Sequence, residues 1–210
     1  MHTSVRIWQI VIFTLGIFLI SAESVQAKLV TIQISGQITS ASGNGLPNTI
    51  HVGDIFTGIY TYDTLTPDSD ALLNRGRYQY SSPDQFSICL GGYEFKTSEV
   101  GYNMQIWNNF TFLDWSYDMY SISSVGVVPL PNISSYIINW SLRDTTKTAL
   151  SSEALLDIAP ILNDWNYNHF QISSGNSFLL DGIVTNAILI PEPASMFLLG
   201  LGGLLLRRKK

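Results

Sequence analysis

Between residues 28 and 190 apolar side chains recur at every second position, and that period admits one kind of element. Val30, Ile32, Ile34 and Ile38 alternate with Thr31, Gln33, Ser35 and Gln37. Successive side chains of a strand point to opposite faces, so this segment is a strand with one face on a core and the other toward water. Phe56, Gly58, Tyr60 and Tyr62 share one face of the next strand, with Ile55 and Ile59 on the other. Tyr136, Ile138, Trp140 and Leu142 alternate with Ile137, Asn139, Ser141 and Arg143, which places Trp140 in the core. Gly91-Gly92 stands between two such runs and reads as a hairpin turn, since both glycines reach positive φ at little cost. Asn108-Asn109 reads as a second turn, between Met104/Ile106 and Phe110/Phe112. The stretches around Phe170, Ile183 and Ile188 supply the last strands. One segment departs from the period. Ser151 to Asp157, with Glu153 in its first turn and Ala154-Leu155-Leu156 behind, predicts a short helix that Pro160 ends. Roughly eight to ten short strands between Gly, Asn, Ser and Pro turns predict an all-β fold, an antiparallel β-sandwich of which the jelly roll is one form. Residues 63–70 and 127–135 are the expected long loops.

Both ends of the chain follow different rules. Arg6 precedes an almost unbroken apolar stretch from Ile7 to Ile20, and Val25-Gln26-Ala27 sets small residues where a signal peptidase reads. Residues 1–27 are therefore expected to be a secretory signal helix, cut between Ala27 and Lys28. The stretch is also shorter than the ~20 residues of a full membrane span.

At the other end Pro191-Glu192-Pro193 precedes an uncharged apolar run from Ala194 to Leu206, and Arg207-Arg208-Lys209-Lys210 closes the chain. Two prolines around a carboxylate continue neither a strand nor a helix interior. The thirteen apolar residues reach about 20 Å as a helix, against a hydrocarbon core of about 30 Å. Four terminal positive charges hold that end on the cytoplasmic side. The segment reads as a weak, transient transmembrane helix, 194–206, with a basic cytoplasmic tail, 207–210. In all three parts this tail resembles the PEP-CTERM sorting signal of Gram-negative bacteria. The resemblance implies that Pro191, Glu192, Pro193, Arg207 and Arg208 form the signal read by an exosortase. It further implies an inner-membrane precursor whose mature form moves to the cell surface or the extracellular matrix. The stretch Val52 to Asp63 also resembles an early strand pair that recurs in PEP-CTERM proteins, without an activity attached to it.

Removing both ends leaves a domain over 28–186, followed by a linker over 187–193 that carries the Pro-Glu-Pro motif. Residues 28–190 hold six basic side chains against fourteen acidic ones, a net charge of −8. Such a domain lacks the cationic footprint that nucleic acid requires. Cys89 is the sole cysteine, so no internal disulfide forms, and its phase sets it on the second face of its strand.

Motifs of chemistry are scarce. His51 and His169 stand 118 residues apart without a HxxH or cysteine partner, and no GxSxG, GxGxxG or Walker pattern occurs. No cofactor is implied and no catalysis is expected. Asp114 and Asp118 on one straight strand would lie about 13 Å apart, too far for a glycosidase pair, and read as exposed charges. Asp63, Asp68 and Asp70 share one turn-rich loop and are the best calcium candidate, without an EF-hand spacing. Trp107, Trp115 and Trp165 are the rings that could stack on sugars, with Trp165 expected to be the most exposed. The sequence thus predicts an exported, non-catalytic protein of the cell envelope or exopolysaccharide. A carbohydrate-binding module is the alternative.

Overall fold

A computed structural model describes residues 28–81, 85–126, 133, 135–175 and 177–191. Among these residues the chain forms nine strands. They are β1 (Leu29–Ser42), β2 (Ile55–Asp63), β3 (Arg75–Tyr80), β4 (Phe86–Leu90), β5 (Tyr93–Phe112), β6 (Trp115–Gly126), β7 (Tyr136–Asp144), β8 (Tyr167–Ser174) and β9 (Phe178–Ile190). All neighbours run antiparallel, in the order β3-β5-β4-β2-β1-β9-β8-β7-β6. A further pairing of β5 with β6 joins the two sides of that sheet. The result is a closed eight-stranded barrel, with β3 lying along the second half of β5 as β4 lies along the first. The predicted sandwich is corrected on this point. Sandwich and barrel impose the same inward and outward alternation, and only the partners of the outermost strands separate them.

The interior is filled by one cluster of side chains. Phe56 and Phe170 stack across it at 4.1 Å, and Trp140 meets Tyr60 and Tyr120 edge-on. An eight-stranded barrel is just wide enough for such a filling. Small residues face the large ones. A Cβ on Gly36 would stand 2.4 Å from Phe56 Cζ and 2.1 Å from the Ile183 carbonyl oxygen, so this position accepts only glycine. The β1–β9 register also shifts between Ser35 and Gly36. Such bulges bend and coil a strand, as closure requires. The walls turn apolar side chains inward and mostly polar ones outward, the inverse of a barrel whose outer wall faces lipid.

The interior hydroxyls have hydrogen-bond partners. Tyr60 and Tyr120 meet at 2.9 Å, and the Tyr136 hydroxyl donates to the Lys96 carbonyl at 2.6 Å. Trp140 Nε1 donates to Asn168 Oδ1 at 3.1 Å. Burial disfavours the phenolate and pushes Tyr60 and Tyr120 far above their ordinary range.

Three further expectations need correction. No helix forms over Ser151 to Asp157; the only helical turn among the described residues is a 3-10 turn at Leu162–Asp164. The carbonyls of Glu153 and Leu156 accept from Tyr78 and Tyr62 of the barrel instead of from helix N–H groups. Asn108-Asn109 is a bulge inside β5, with Asn109 at φ 52°, and the chain reverses at Leu113-Asp114. Residues 187–190, assigned to the linker, are strand: β9 continues against β1 as far as the pair Thr31–Ile190. The Gly91-Gly92 hairpin, by contrast, stands as predicted, with both glycines at positive φ. The signal helix, the apolar helix over 194–206 and most of the loop 127–135 lie outside the described residues. Among the described residues no helix is long and apolar enough to cross a membrane.

Candidate functional site

The antiparallel order brings the two ends of the barrel chain together. β1 begins and β9 finishes at the same end of the barrel, on adjacent strands, with Thr31 opposite Ile190. Lys28 precedes that pair and binds the Asp157 carboxylate at 3.0 Å. Pro191 follows it, and with no N–H to offer it stops the ladder. The predicted cleavage site at Lys28 and the first residue of the Pro-Glu-Pro motif therefore leave one end of the barrel side by side, which we call the tail end. Ala27, Glu192, Pro193, Arg207 and Arg208 lie outside the described residues.

Two buried carboxylates organise this end. Asp118 of β6 and Asp144 of β7 are cross-strand partners in the inward phase, 0 % and 1 % exposed. Asp118 accepts from the N–H groups of Asn109 at 2.7 Å and Leu150 at 3.0 Å. Asp144 accepts from the N–H groups of Thr146 and Thr148, both at 2.8 Å, and of Ala149 at 3.2 Å. Burial works to raise the Asp144 pKa, but the donors from Thr148 and Thr146 outweigh it and hold it at about 2. The pair folds residues 145–150 back over the barrel mouth, where Leu150 joins the core. Asp118 is thus a buried clamp and not the exposed charge expected beside Asp114, which sits in the hairpin turn. A signal for this was available. Asp118 lies two residues before Tyr120, and Asp144 two after Leu142, so both share the phase of the core.

The calcium candidate is dispersed into other contacts. Asp63 accepts from Leu65 N–H at 2.9 Å. Asp68 accepts from the N–H groups of Asp70 and Arg77, both at 2.8 Å, and Asp70 binds Arg75 Nε at 2.6 Å. That hydrogen bond holds the Asp70 carboxyl below its ordinary value. Among the described residues no group of three or more His, Cys, Asp or Glu is placed to hold a metal ion.

The three tryptophans separate. Trp165 is 8 % exposed and packs into the core, opposite to expectation, because residues 145–165 fold over the tail end and turn its ring inward. Trp115 is 69 % exposed, at the β5–β6 hairpin. Trp107 is half-buried on the outer wall, 4.4 Å from the Phe110 ring and 6.0 Å from Tyr117, with Arg75 over its face at 5.8 Å. Its indole nitrogen is buried with no hydrogen-bond partner.

Trp107 opens a belt that sequence reasoning missed. From Tyr117 the belt continues through Arg143, whose guanidinium lies 5.7 Å from the Tyr117 ring and 5.0 Å from Tyr167. Tyr167 leads to His169 at 5.9 Å, and His169 and Gln171 both meet Asp181 Oδ1 at 3.1 Å. Rings and polar or charged side chains thus follow one another across the outer face of β3, β5, β6, β7, β8 and β9. Their outward phase is readable within each strand, but their alignment depends on cross-strand register. Cys89 is exposed on the outer face of β4.

Fold and chain ends together define a closed antiparallel barrel whose last strand runs directly into a terminal tail. That tail is the PEP-CTERM protein-sorting motif, whose family model matches residues 189–210. The match begins inside β9, at Leu189. The motif implies exosortase-dependent sorting of an exported protein that is processed at the membrane. No curated protein and no solved structure matches the chain.

Proposed function

We propose that the mature barrel is a non-catalytic component of the bacterial cell envelope or of the exopolysaccharide outside it. The observation that carries this reading is the sorting motif joined without an intervening domain to a barrel with a filled interior. Its buried carboxylates fit the reading: Asp118 and Asp144 are occupied in holding backbone N–H groups. A signal peptidase cuts before Lys28, and an exosortase then acts on the Pro191-Glu192-Pro193 tail. The mature chain should fractionate with the envelope or the secreted matrix in an exosortase-bearing host. Full-length protein retained in the inner membrane would overturn the assignment.

A second reading, carbohydrate binding, is favoured by the outer belt. Exposed Tyr167 and Arg143 lie beside His169, Gln171 and Asp181, which combines a ring face with donors and acceptors for sugar hydroxyls. Purified mature protein should be retained by the polysaccharide of its host, and Tyr167→Ala should reduce retention about tenfold, the loss of one ring contact of ~1.4 kcal/mol. Equal retention of both proteins would exclude the belt as the contact surface.

A further inference from the structure

The tail end of the barrel carries apolar side chains that its own fold does not need. At the β5–β6 hairpin Phe112, Leu113 and Trp115 are 61 %, 80 % and 69 % exposed. Leu73, in the connection before β3, is 93 % exposed, and Ile158 and Ile161 stand out from the segment over the barrel mouth. Leu113 also takes φ 53° in a two-residue turn, where glycine is the ordinary occupant. An exposed leucine in that conformation is held at a cost in backbone energy without a core contact in return.

The sequence beyond β9 says what lies opposite. Ile190 ends the ladder, and the uncharged run begins at Ala194. Four residue steps of at most ~3.6 Å allow about 14 Å between them. With the run in a bilayer, the tail end is held in or just above the headgroup layer, which is some 5–8 Å deep on each side. Trp and Phe favour that layer. Asp114 in the same turn, and the exposed Asp157 and Asp164 nearby, keep the contact shallow and make anionic lipid an unfavourable partner.

We infer that the tail end is a membrane-seating surface: while the tail is inserted, Phe112, Leu113, Trp115 and Leu73 rest in the headgroup layer of the same bilayer. The contact fixes the height of the barrel and holds the Pro191-Glu192-Pro193 junction at the membrane surface. After the tail is cut, so shallow a patch releases the barrel. This inference rests on the reading of residues 194–206 as a membrane segment.

The native Cys89 supplies a control, because it is exposed on β4 away from the tail end. The tail-bearing chain over residues 28–210, without the signal segment, would be bound to phosphatidylcholine vesicles and labelled with an environment-sensitive dye, either at Cys89 or at Leu113→Cys in a Cys89→Ser background. The label at 113 should brighten several-fold on vesicle binding, be quenched by nitroxide on the lipid headgroup, and persist in high salt. The label at Cys89 should do none of these. Co-flotation with vesicles without a response at 113 would overturn the seating surface while leaving the inserted tail intact. Failure to co-float would overturn the membrane reading of the tail, and the seating surface with it.

Discussion

Replacing Asp144 with asparagine keeps the shape of the side chain and removes its charge, and the structure sets the size of the loss. The carboxylate accepts from the N–H groups of Thr146, Thr148 and Ala149 and from the Thr146 hydroxyl. An amide has one acceptor oxygen, so at least one of these donors loses its partner and another meets an NH2 group. Leaving a buried donor without a partner costs about 1–3 kcal/mol, so roughly 2–3 kcal/mol for this site, which is 1 % exposed. The pKa shift that these same hydrogen bonds produce is of the same size. Displacement from 3.8 to about 2 corresponds to stabilisation on the order of 2 kcal/mol. A carboxyl depressed in the folded state contributes fully above its unfolded pKa, and the contribution fades as pH falls through its folded one. The gap between wild type and Asp144→Asn should therefore be ~2 kcal/mol at neutral pH. It should narrow as pH falls from about 4 to about 2. Urea denaturation of the mature chain, read by tryptophan fluorescence, should show a midpoint about 1 M lower for the variant, taking a slope of ~2 kcal/mol/M. Equal midpoints, or a gap unchanged down to the acid limit, would refute the clamp.

Tyr120→Phe should cost about 1–2 kcal/mol by leaving the buried Tyr60 hydroxyl short of a partner, while Tyr60→Phe/Tyr120→Phe should cost less than the two single changes added; strict additivity would contradict the coupling. Because burial raises both pKa values, stability should begin to fall as pH rises past about 10, with tyrosinate absorbance from these rings appearing only on unfolding. Gly36→Ala should destabilise by more than ~1 kcal/mol where an ordinary Gly→Ala change is stabilising, because backbone at Ile183 has to move; a raised melting temperature would show that the wall yields freely. Changing Pro191, Glu192 and Pro193 to alanine leaves the apolar run intact yet should trap the full-length form in the inner membrane, and normal release of that variant would reduce the tail to a plain anchor.

The sequence by itself determined the phase of most core side chains and the PEP-CTERM tail. Phase is a local property: a strand turns alternate residues to opposite sides whatever it pairs with, so Val30, Ile32, Tyr60, Ile138 and Trp140 were legible from their spacing. The Gly91-Gly92 turn and the Pro-Glu-Pro tail were legible for the same reason, since each depends on a few adjacent residues. Tertiary structure decided the rest. Closure depends on β1 finding β9 across most of the chain, and no local pattern encodes that partner. Asp118 had the phase of the core but the chemistry of the surface; its burial became favourable only when Asn109 and Leu150 supplied backbone N–H groups to it. Trp165 sat among polar neighbours and was turned inward by the segment that caps the barrel. The helix expected over Ser151 to Asp157 gave way because interior tyrosines take its carbonyls. The shared end from which both chain termini leave is likewise a consequence of strand order, and it exists only once the barrel has closed.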